Sequence, residues 1–350
     1  MKRALITGIS GQDGGYLAKL LLSKGYEVWG AARRSASGEN WRLKALGIQD
    51  QVKMIPFECL EYSNIAKALE KVKPDEIYNL AAMSFVGASF DQPVYTGDVN
   101  GLGVVRLLEA MRQVCPRAKL YQASTSEMFG SSYSYEIGYS PNTKFATEYF
   151  QDENTPFHPR SPYGCAKLFA HTMVTNYREA YDMFCCSGIL FNHESPLRGS
   201  EFVTKKITRT LTQIHKLNSG VLELGNLSAR RDWGHAEDYV RGMWMMLQQE
   251  KPTDYVLSTG TTRSVKDFVN ATAEALGWEL HWKGEGLDTQ ATLADGRVMV
   301  RVNPDFFRPS DVEYLCGDAE KARKELDWEP RLSFEELIRD MVVYDQNGTL

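Results

Sequence analysis

The first half of the chain alternates short apolar runs with amphipathic stretches. Apolar runs bounded by turn residues are typical of buried strands, and apolar residues three or four positions apart are typical of helices. The predicted strands are residues 3–7, 27–32, 52–56, 76–80, 119–123 and 185–191, and the predicted helices between them are residues 16–23, 65–71, 103–112 and 163–181. This alternation predicts an α/β fold with a doubly wound parallel sheet.

The pattern becomes looser after about residue 192. A helix is predicted over residues 204–217, a strand over residues 254–259, and further helices after Ser264 and Ser333. Each of these serines has an acid three positions later, which is the pattern of a capping box. Because these elements are short, we expect a smaller C-terminal α/β lobe that has no large core of its own.

Glycines follow the first predicted strand directly. They have G-x-x-G-x-x-G spacing and open the first helix. Glycine lets the backbone turn tightly and approach a pyrophosphate, which the positive end of a helix stabilises. A simple tight turn is the alternative, but the position after an N-terminal strand favours dinucleotide binding. The predicted contacts are Gly8, Ser10, Gly11, Gln12, Asp13 and Gly14.

The second predicted strand is followed by two arginines and a serine, Arg33, Arg34 and Ser35. An NAD site places an acid there to hold the ribose hydroxyls, whereas guanidinium groups suit a 2′-phosphate. A solvated basic turn is the alternative, and we predict NADP as the cofactor. The small residues expected beside its nicotinamide half, after the fourth strand, are Leu80, Ala81 and Ala82.

Four side chains form a candidate catalytic set. Tyr163 and Lys167 are four residues apart in a predicted helix, so they share one face. The ammonium is expected to lower the pKa of the phenol, so that Tyr163 can act as a base. Thr125 and Glu127 follow the strand at 119–123, whose carboxyl end faces the ligand crevice of an open sheet. A surface Tyr/Lys pair and a helix cap are the alternatives, but the two pairs together favour catalysis.

Composition narrows the classes of partner. The formal charge of the 350 residues is −5, so no diffuse positive field attracts nucleic acid or an anionic membrane. No apolar run approaches the roughly 20 residues of a membrane span, and the N-terminus has no cleavage-type segment. Six cysteines show no regular spacing and are expected to be buried thiols of a cytoplasmic protein.

Longer motifs resemble those of the GDP-mannose 4,6-dehydratases, a family of extended short-chain dehydrogenases/reductases, over nearly the whole chain. The matching segments are 124–130 (STSEMFG), 160–164 (RSPYG), 188–196 (GILFNHESP) and 231–235 (RDWGH). The resemblance implies a Rossmann-like NADP-binding domain over residues 1–191 with parts of 225–260, and a discontinuous nucleotide-sugar lobe over residues 192–350. It also implies a homodimer or homotetramer.

The resemblance assigns roles to individual residues. It implies a catalytic set of Thr125, Ser126, Glu127, Tyr163 and Lys167. The further cofactor contacts that it implies are Glu58, Cys59, Ser84, Tyr95, His193 and Arg198, besides Tyr163 and Lys167. The substrate contacts are Ser84, Asn192, Lys206, Arg231 and Arg308.

The arginines among these contacts suit a diphosphate, which needs forked donors, and surface pairing with Asp232 or Asp311 is the alternative. No metal is expected, because His193 and Glu194 are not followed by the second histidine of a zinc helix.

The chain also departs from the family pattern. It has Phe57-Glu58-Cys59 where Gly-Asp-Leu is usual, so an adenine contact would pass to Glu58. Met83 and Phe85 replace a glutamine and a histidine, and Leu197 replaces one of two tandem arginines, which predicts drier cofactor surroundings. Residues 131–158 form a predicted loop about a dozen residues longer than usual, and loops of this length are often functional.

The predicted reaction is therefore conversion of GDP-mannose to its 4-keto-6-deoxy derivative. A dehydratase for a related sugar such as GDP-manno-heptose is an alternative with the same catalytic residues. A 4-epimerase has no need for Glu127, and an NADP-sensing scaffold has no need for the catalytic set.

Overall fold

The computed structural model describes residues 1–33, 40–130, 132, 149–307 and 310–348. Its strands are β1 (Arg3–Thr7), β2 (Glu27–Ala32), β3 (Lys53–Pro56), β4 (Glu76–Asn79), β5 (Lys119–Thr125), β6 (Cys185–Leu190), β7 (Asn192–Glu194), β8 (Leu222–Leu224), β9 (Arg230–His235), β10 (Tyr255–Leu257), β11 (Thr262–Ser264), β12 (His281–Lys283), β13 (Gln290–Thr292) and β14 (Val298–Val302).

The α-helices within these residues are α1 (Gln12–Ser23), α2 (Trp41–Ala45), α3 (Tyr62–Val72), α4 (Val86–Asp91), α5 (Pro93–Gly97), α6 (Gly103–Val114), α7 (Pro162–Tyr181), α8 (Val203–Leu217), α9 (Ala236–Leu247), α10 (Val265–Ala275), α11 (Glu320–Leu326) and α12 (Phe334–Gln346). A π-helical segment, Asp98–Leu102, joins α5 to α6, and Ser126–Met128 is a short 3₁₀ turn after β5.

A parallel sheet of seven described strands forms the centre of the molecule, in the order β10-β6-β5-β4-β1-β2-β3. The chain runs outward from β1 in both directions, so the strand order reverses between β1 and β4. Loops that leave the carboxyl ends of these two strands diverge and open a crevice, where doubly wound folds bind ligands. The predicted Rossmann-like fold is confirmed.

Apolar spacing explains how the helices cover the sheet. In α3 the buried residues Ile65, Ala68, Leu69 and Val72 recur at intervals of three and four, so one face packs against the sheet and the other meets water. The long helix α7 begins with a proline at its first position, where the missing N–H costs nothing. The Ser161 hydroxyl accepts the Gly164 amide at 3.0 Å and caps this helix.

The second lobe is built from two smaller sheets, β11-β9-β7 and β12-β13-β14-β8. The expectation that it lacks a core of its own was wrong. Side chains from α8, α10 and α12 pack with both sheets around Phe268, and this cluster also buries Leu211, Leu222, Met299 and Met341. The elements are short, but several of them share one apolar centre. The residue bounds of the two predicted domains stay a prediction.

Several sequence predictions agree with the structure in detail. Both capping boxes are present, with reciprocal hydrogen bonds at Ser264 and Ser333. The sequence pattern did not predict the strand β9 or the helix α9. The strand carries Arg, Asp and His side chains, yet most of it is buried because each polar group has a partner in the fold. Its sequence therefore shows no apolar signal.

Candidate active site

A cleft of about 1480 Å³ opens at the crevice between β1 and β4 and extends to the second lobe. Of the predicted site residues, the cleft is lined by Gly8, Ser10, Gly11, Gln12, Asp13, Gly14, Arg33, Glu58, Cys59, Leu80, Ala81, Ala82, Ser84, Tyr95, Thr125, Ser126, Glu127, Tyr163, Lys167, Asn192, His193, Arg198, Lys206 and Arg231. Arg34, Ser35 and Arg308 lie outside the described residues, as does most of the loop at 131–158.

The glycine turn has a backbone that other residues could not form. Gly8 has φ +69°, and a Cβ added there would lie 2.8 Å from the Ala81 nitrogen. A Cβ on Gly14 would lie 2.4 Å from the Gly8 carbonyl oxygen. The turn is therefore pressed against the start of α1, whose N-terminal amides face the cleft. This arrangement fits the pyrophosphate of a dinucleotide.

The adenosine end of the cleft carries polar groups from three loops. Arg33, at the end of β2, donates a hydrogen bond of 3.0 Å to the Tyr95 hydroxyl. Glu58 and Cys59 follow β3, and burial raises the pKa of the Cys59 thiol to about 11, so the thiol stays neutral. These positions fit an adenosine carrying a 2′-phosphate near Arg33.

A buried row of polar side chains crosses the sheet behind the cleft. The Thr7 hydroxyl accepts the Ala81 amide at 3.0 Å and donates to Asn79 Oδ1 at 2.6 Å. Asn79 Nδ2 donates to Gln122 Oε1 at 2.7 Å, and Gln122 Nε2 donates to the Ala123 carbonyl at 2.9 Å. Sequence reasoning missed this row because its members stand on three strands that are distant in the chain.

The predicted catalytic side chains meet at the far end of that row. Lys167 Nζ donates to the same Ala123 carbonyl at 2.9 Å and lies 5.8 Å from the centre of the Tyr163 ring. The Thr125 hydroxyl accepts the Glu127 amide at 3.2 Å and acts to lower the pKa of the Tyr163 phenol. The two pairs proposed from sequence therefore form one cluster on the cleft wall.

Close packing fixes Glu127 beside the start of α7. A Cβ added at Gly164 would lie 2.8 Å from the Glu127 carbonyl oxygen, so the two segments are in direct contact. Glu127 is partly exposed to the cleft, whereas Ser126 is only 2% exposed. Of the two, the carboxylate is therefore the more accessible group in the cleft lining.

The charge relation between the tyrosine and the lysine differs from the prediction. Burial raises the pKa of Tyr163, and Thr125 opposes this only in part. Burial also lowers the pKa of Lys167 to about 8. The expectation that the pKa of Tyr163 is lowered was wrong, because burial outweighs the contributions of Thr125 and Arg198 that act to lower it.

Polar groups of the second lobe close the other side of the cleft. His193 Nε2 lies 2.9 Å from Asp13 Oδ2, and the Arg198 guanidinium forms an ion pair of 2.9 Å with the buried Glu194. Arg42 was missed by sequence reasoning, although it donates to the Ser10 carbonyl at 2.8 Å and to the Leu197 carbonyl at 2.7 Å. Arg42 thereby ties the glycine turn to the second lobe.

Two cations lie farther along the substrate side. Lys206 Nζ is 3.5 Å from the centre of the Phe306 ring. Arg231 is largely buried and pairs with Asp311 at 3.2 Å, while Asp232 points away and accepts the Thr259 and Gly260 amides. Pairing with an acid therefore does not remove Arg231 from the cleft wall.

Two residues that depart from the family pattern, Met83 and Phe85, place apolar side chains in the lining of the cleft. The Phe85 ring packs edge-on against Phe202 from the second lobe, with 6.1 Å between ring centres. Leu197 is 2% exposed and belongs to the main core, whereas Met83 lines the cleft. Drier cofactor surroundings stay a prediction.

Cysteine and metal predictions have different outcomes. All six cysteines are free, and Cys165 is exposed, so the expectation that every thiol is buried was wrong. Cys165 lines a groove beside α5. Among the described residues, no group of three His, Cys, Asp or Glu side chains is arranged to hold a metal ion. No helix in the described part of the chain is long and apolar enough to cross a membrane.

Comparison with known proteins identifies the family. The family model described as GDP-mannose 4,6 dehydratase matches residues 5–341. The chain belongs to this family. A GDP-mannose 4,6 dehydratase of Drosophila melanogaster is 48% identical, with 98% of this chain and 86% of the relative covered. This confirms the resemblance drawn from the motifs.

Solved structures share the fold. A dTDP-glucose 4,6-dehydratase of Bacillus anthracis in complex with NAD superposes with a TM-score of 0.78 at 20% identity, covering 99% of this chain and 97% of that one. The RMD protein of Pseudomonas aeruginosa complexed with NADPH gives a TM-score of 0.73 at 17% identity, covering 99% and 100%.

Proposed function

We propose that this enzyme removes water from GDP-mannose to give GDP-4-dehydro-6-deoxy-mannose, with NADP as its cofactor. The observation that carries the proposal is the cluster of Thr125, Glu127, Tyr163 and Lys167 on the wall of a cleft that begins at the glycine turn. An epimerase needs the phenol and the ammonium, but the carboxylate beside them suits the loss of a hydroxyl group. Family membership supports the same activity.

The residues of the cleft fit NADP. Amides of the glycine turn and the start of α1 would hold the pyrophosphate, and Arg33 with Tyr95 would hold the phosphorylated ribose. When bound, NADP supplies a reversible acceptor for two electrons and one hydrogen from the substrate. The NAD and NADPH complexes of the two structural relatives accord with a dinucleotide in this cleft.

Tyr163 is proposed to accept the proton of the C4 hydroxyl while C4 becomes a ketone. Thr125, which acts to lower the pKa of the phenol, would orient the same hydroxyl. Lys167 keeps its ammonium near the phenol ring, because the Ala123 carbonyl anchors it there. Burial raises the pKa of this phenol, so acting as the base requires it to be ionised in the complex. That phenolate, favoured by the positive nicotinamide ring of bound NADP, would then hold the proton until the product needs one.

Glu127 is proposed to remove the C5 proton, which the neighbouring ketone makes acidic. That proton leaves with the C6 hydroxyl as water, and Ser126 or Thr125 assists by hydrogen bonding. The proton held by Tyr163 balances the one returned at C5, so the enzyme ends in its starting state. Asn192, Lys206 and Arg231 line the substrate side, where the last two would hold the diphosphate.

A single substitution tests the role of the carboxylate. With Glu127→Gln, we expect the mass loss of one water from GDP-mannose to fall by roughly 10²-fold or more, which is the usual contribution of a positioned acid or base. Glu179→Gln on the exposed face of α7 is the matched control and should keep full activity. Undiminished water loss by the Glu127 variant would refute the assignment. Parallel incubations with GDP-manno-heptose and other nucleotide sugars define the substrate.

Assembly into a homodimer or homotetramer is part of the proposal. Helices α5 and α7 pack side by side, and together with the π-helical segment they expose Val94, Leu102 and Phe169 around a groove of about 740 Å³. Exposed apolar patches of this kind are typical of protein interfaces. Sedimentation equilibrium measures the assembly. A cytoplasmic location also stays a prediction of the sequence.

A further inference from the structure

The imidazole of His193 lies between two hydrogen-bond acceptors. Its Nδ1 is 2.7 Å from the Phe191 carbonyl oxygen, and its Nε2 is 2.9 Å from Asp13 Oδ2. Carbonyl and carboxylate oxygens only accept, so both ring nitrogens must carry hydrogen at once. A neutral imidazole has a single N–H, and the geometry therefore requires the imidazolium cation.

Asp13 is suited to be the counter-ion. Its other oxygen, Oδ1, accepts Gln12 Nε2 at 3.0 Å, so both carboxylate oxygens have donors. Burial acts to raise its pKa, but the His193 charge and these hydrogen bonds outweigh it and hold the pKa at about 2. The carboxylate is therefore ionised and cannot donate to the imidazole. Burial acts to lower the pKa of His193, yet Asp13 and the Phe191 carbonyl raise it.

The other charged and ionisable groups around His193 do not replace Asp13. Arg198 repels the imidazolium, and its own partner is Glu194, which also accepts the Thr204 hydroxyl at 2.7 Å. On the opposite side the ring stacks on Tyr239, with 4.4 Å between ring centres. Burial keeps this phenol neutral by raising its pKa. Asp13 is thus the carboxylate in contact with His193 among the described residues.

Separate hydrogen bonds fix the backbone of this segment. Gln12 Nε2 also donates to the His193 carbonyl at 3.1 Å, and the Ser195 hydroxyl donates to Gln12 Oε1 at 2.7 Å. The glycine turn and the 193–195 segment therefore remain joined if the Asp13 carboxylate becomes an amide. That substitution would change the charge more than the shape.

We propose that Asp13 is a positioning residue, which keeps His193 permanently cationic in the wall of the cleft and so makes the binding of the anionic dinucleotide insensitive to pH near neutrality. The inference rests on the proposed function, because it takes NADP as the ligand. An unpaired Asp13 carboxylate would repel the phosphates of the dinucleotide. The positive charge of His193 cancels this negative charge. Without Asp13, burial would favour the neutral form of the imidazole.

The first test compares NADPH affinity in three proteins, wild type, Asp13→Asn and Asp345→Asn, by cofactor fluorescence from about pH 5.5 to about pH 8.5, where histidine titrates. Dividing each variant's Kd by that of wild type cancels the titration of the cofactor phosphates. For Asp13→Asn we expect the ratio to rise about tenfold towards alkaline pH, as the cation is lost. A ratio that stays constant with pH overturns the proposal.

Asp345→Asn is the matched control. Asp345 is also a buried acid in an ion pair, but its partner, Lys205 at 2.6 Å, does not line the cleft. Its ratio should not vary with pH, and the same variation as in Asp13→Asn would refute a specific role for Asp13.

The second test observes the histidine itself. The nitrogen-15 shifts of His193, assigned among the six histidines by a His193→Gln spectrum, should be those of an imidazolium in wild type at neutral pH. The shifts of a neutral ring at neutral pH overturn the proposal. This measurement decides the question even if Asp13→Asn fails to fold. The measurement also decides the charge of His193 if wild type binds no NADPH. That outcome would refute the proposed function but not the charge state of His193.

Discussion

Replacing Lys167 by methionine should make the protein more stable and inactive. Lys167 is 3% exposed as a whole residue, and burial lowers the pKa of its ammonium from the ordinary 10.5 to about 8. At about 1.4 kcal/mol for each pH unit, the charge costs the folded state about 3 kcal/mol at neutral pH. Methionine fills a similar volume without this cost. The Ala123 carbonyl keeps Gln122 Nε2 as a donor, so it is not left unsatisfied.

The pH dependence separates this cause from better packing. The folded pKa of Lys167 lies below its unfolded value, so the full penalty applies below about pH 8 and is relieved as pH rises from about 8 towards 10.5. The stability difference between Lys167→Met and wild type, measured by urea unfolding, should therefore shrink over that window. Lys67→Met, on the exposed face of α3, controls for methionine in a helix. A difference that does not change with pH, or a destabilised variant, would refute the reasoning.

Two further substitutions test the frame of the cleft. Gly14→Ala places a methyl group 2.4 Å from the Gly8 carbonyl oxygen, so we expect a loss of about 3 kcal/mol in unfolding free energy and weaker NADP binding by titration calorimetry. Gly97→Ala, with no atom within 4 Å of the added Cβ, should keep the affinity, and equal losses in both variants would contradict the steric argument. Gln122→Met leaves the buried Asn79 amide without its acceptor, which should cost about 1–3 kcal/mol and lower kcat more than it raises KM. Ser187→Ala is the control, because it removes a buried hydroxyl that has no partner among the described residues, and it should leave kcat unchanged. An unchanged kcat in Gln122→Met as well would show that the polar row has no role.

The sequence by itself determined the parallel sheet, the glycine turn and the catalytic pairs. Each of these depends on local information, namely apolar period, glycine spacing, or the four-residue interval between Tyr163 and Lys167. The motifs also identified the family, which the comparisons confirmed. The capping boxes were readable for the same reason, since a cap involves residues three positions apart.

The tertiary structure decided which charges and polar groups depend on one another. Thr7, Asn79 and Gln122 form one row because β1, β4 and β5 are neighbours in the sheet, and Asp13 meets His193 across 180 positions of sequence. The predicted direction of the Tyr163 pKa shift was wrong, because desolvation depends on burial. The four-residue spacing carries no information about burial. Long-range pairing and the exclusion of water arise only when the chain is folded, and they set the chemistry of this cleft.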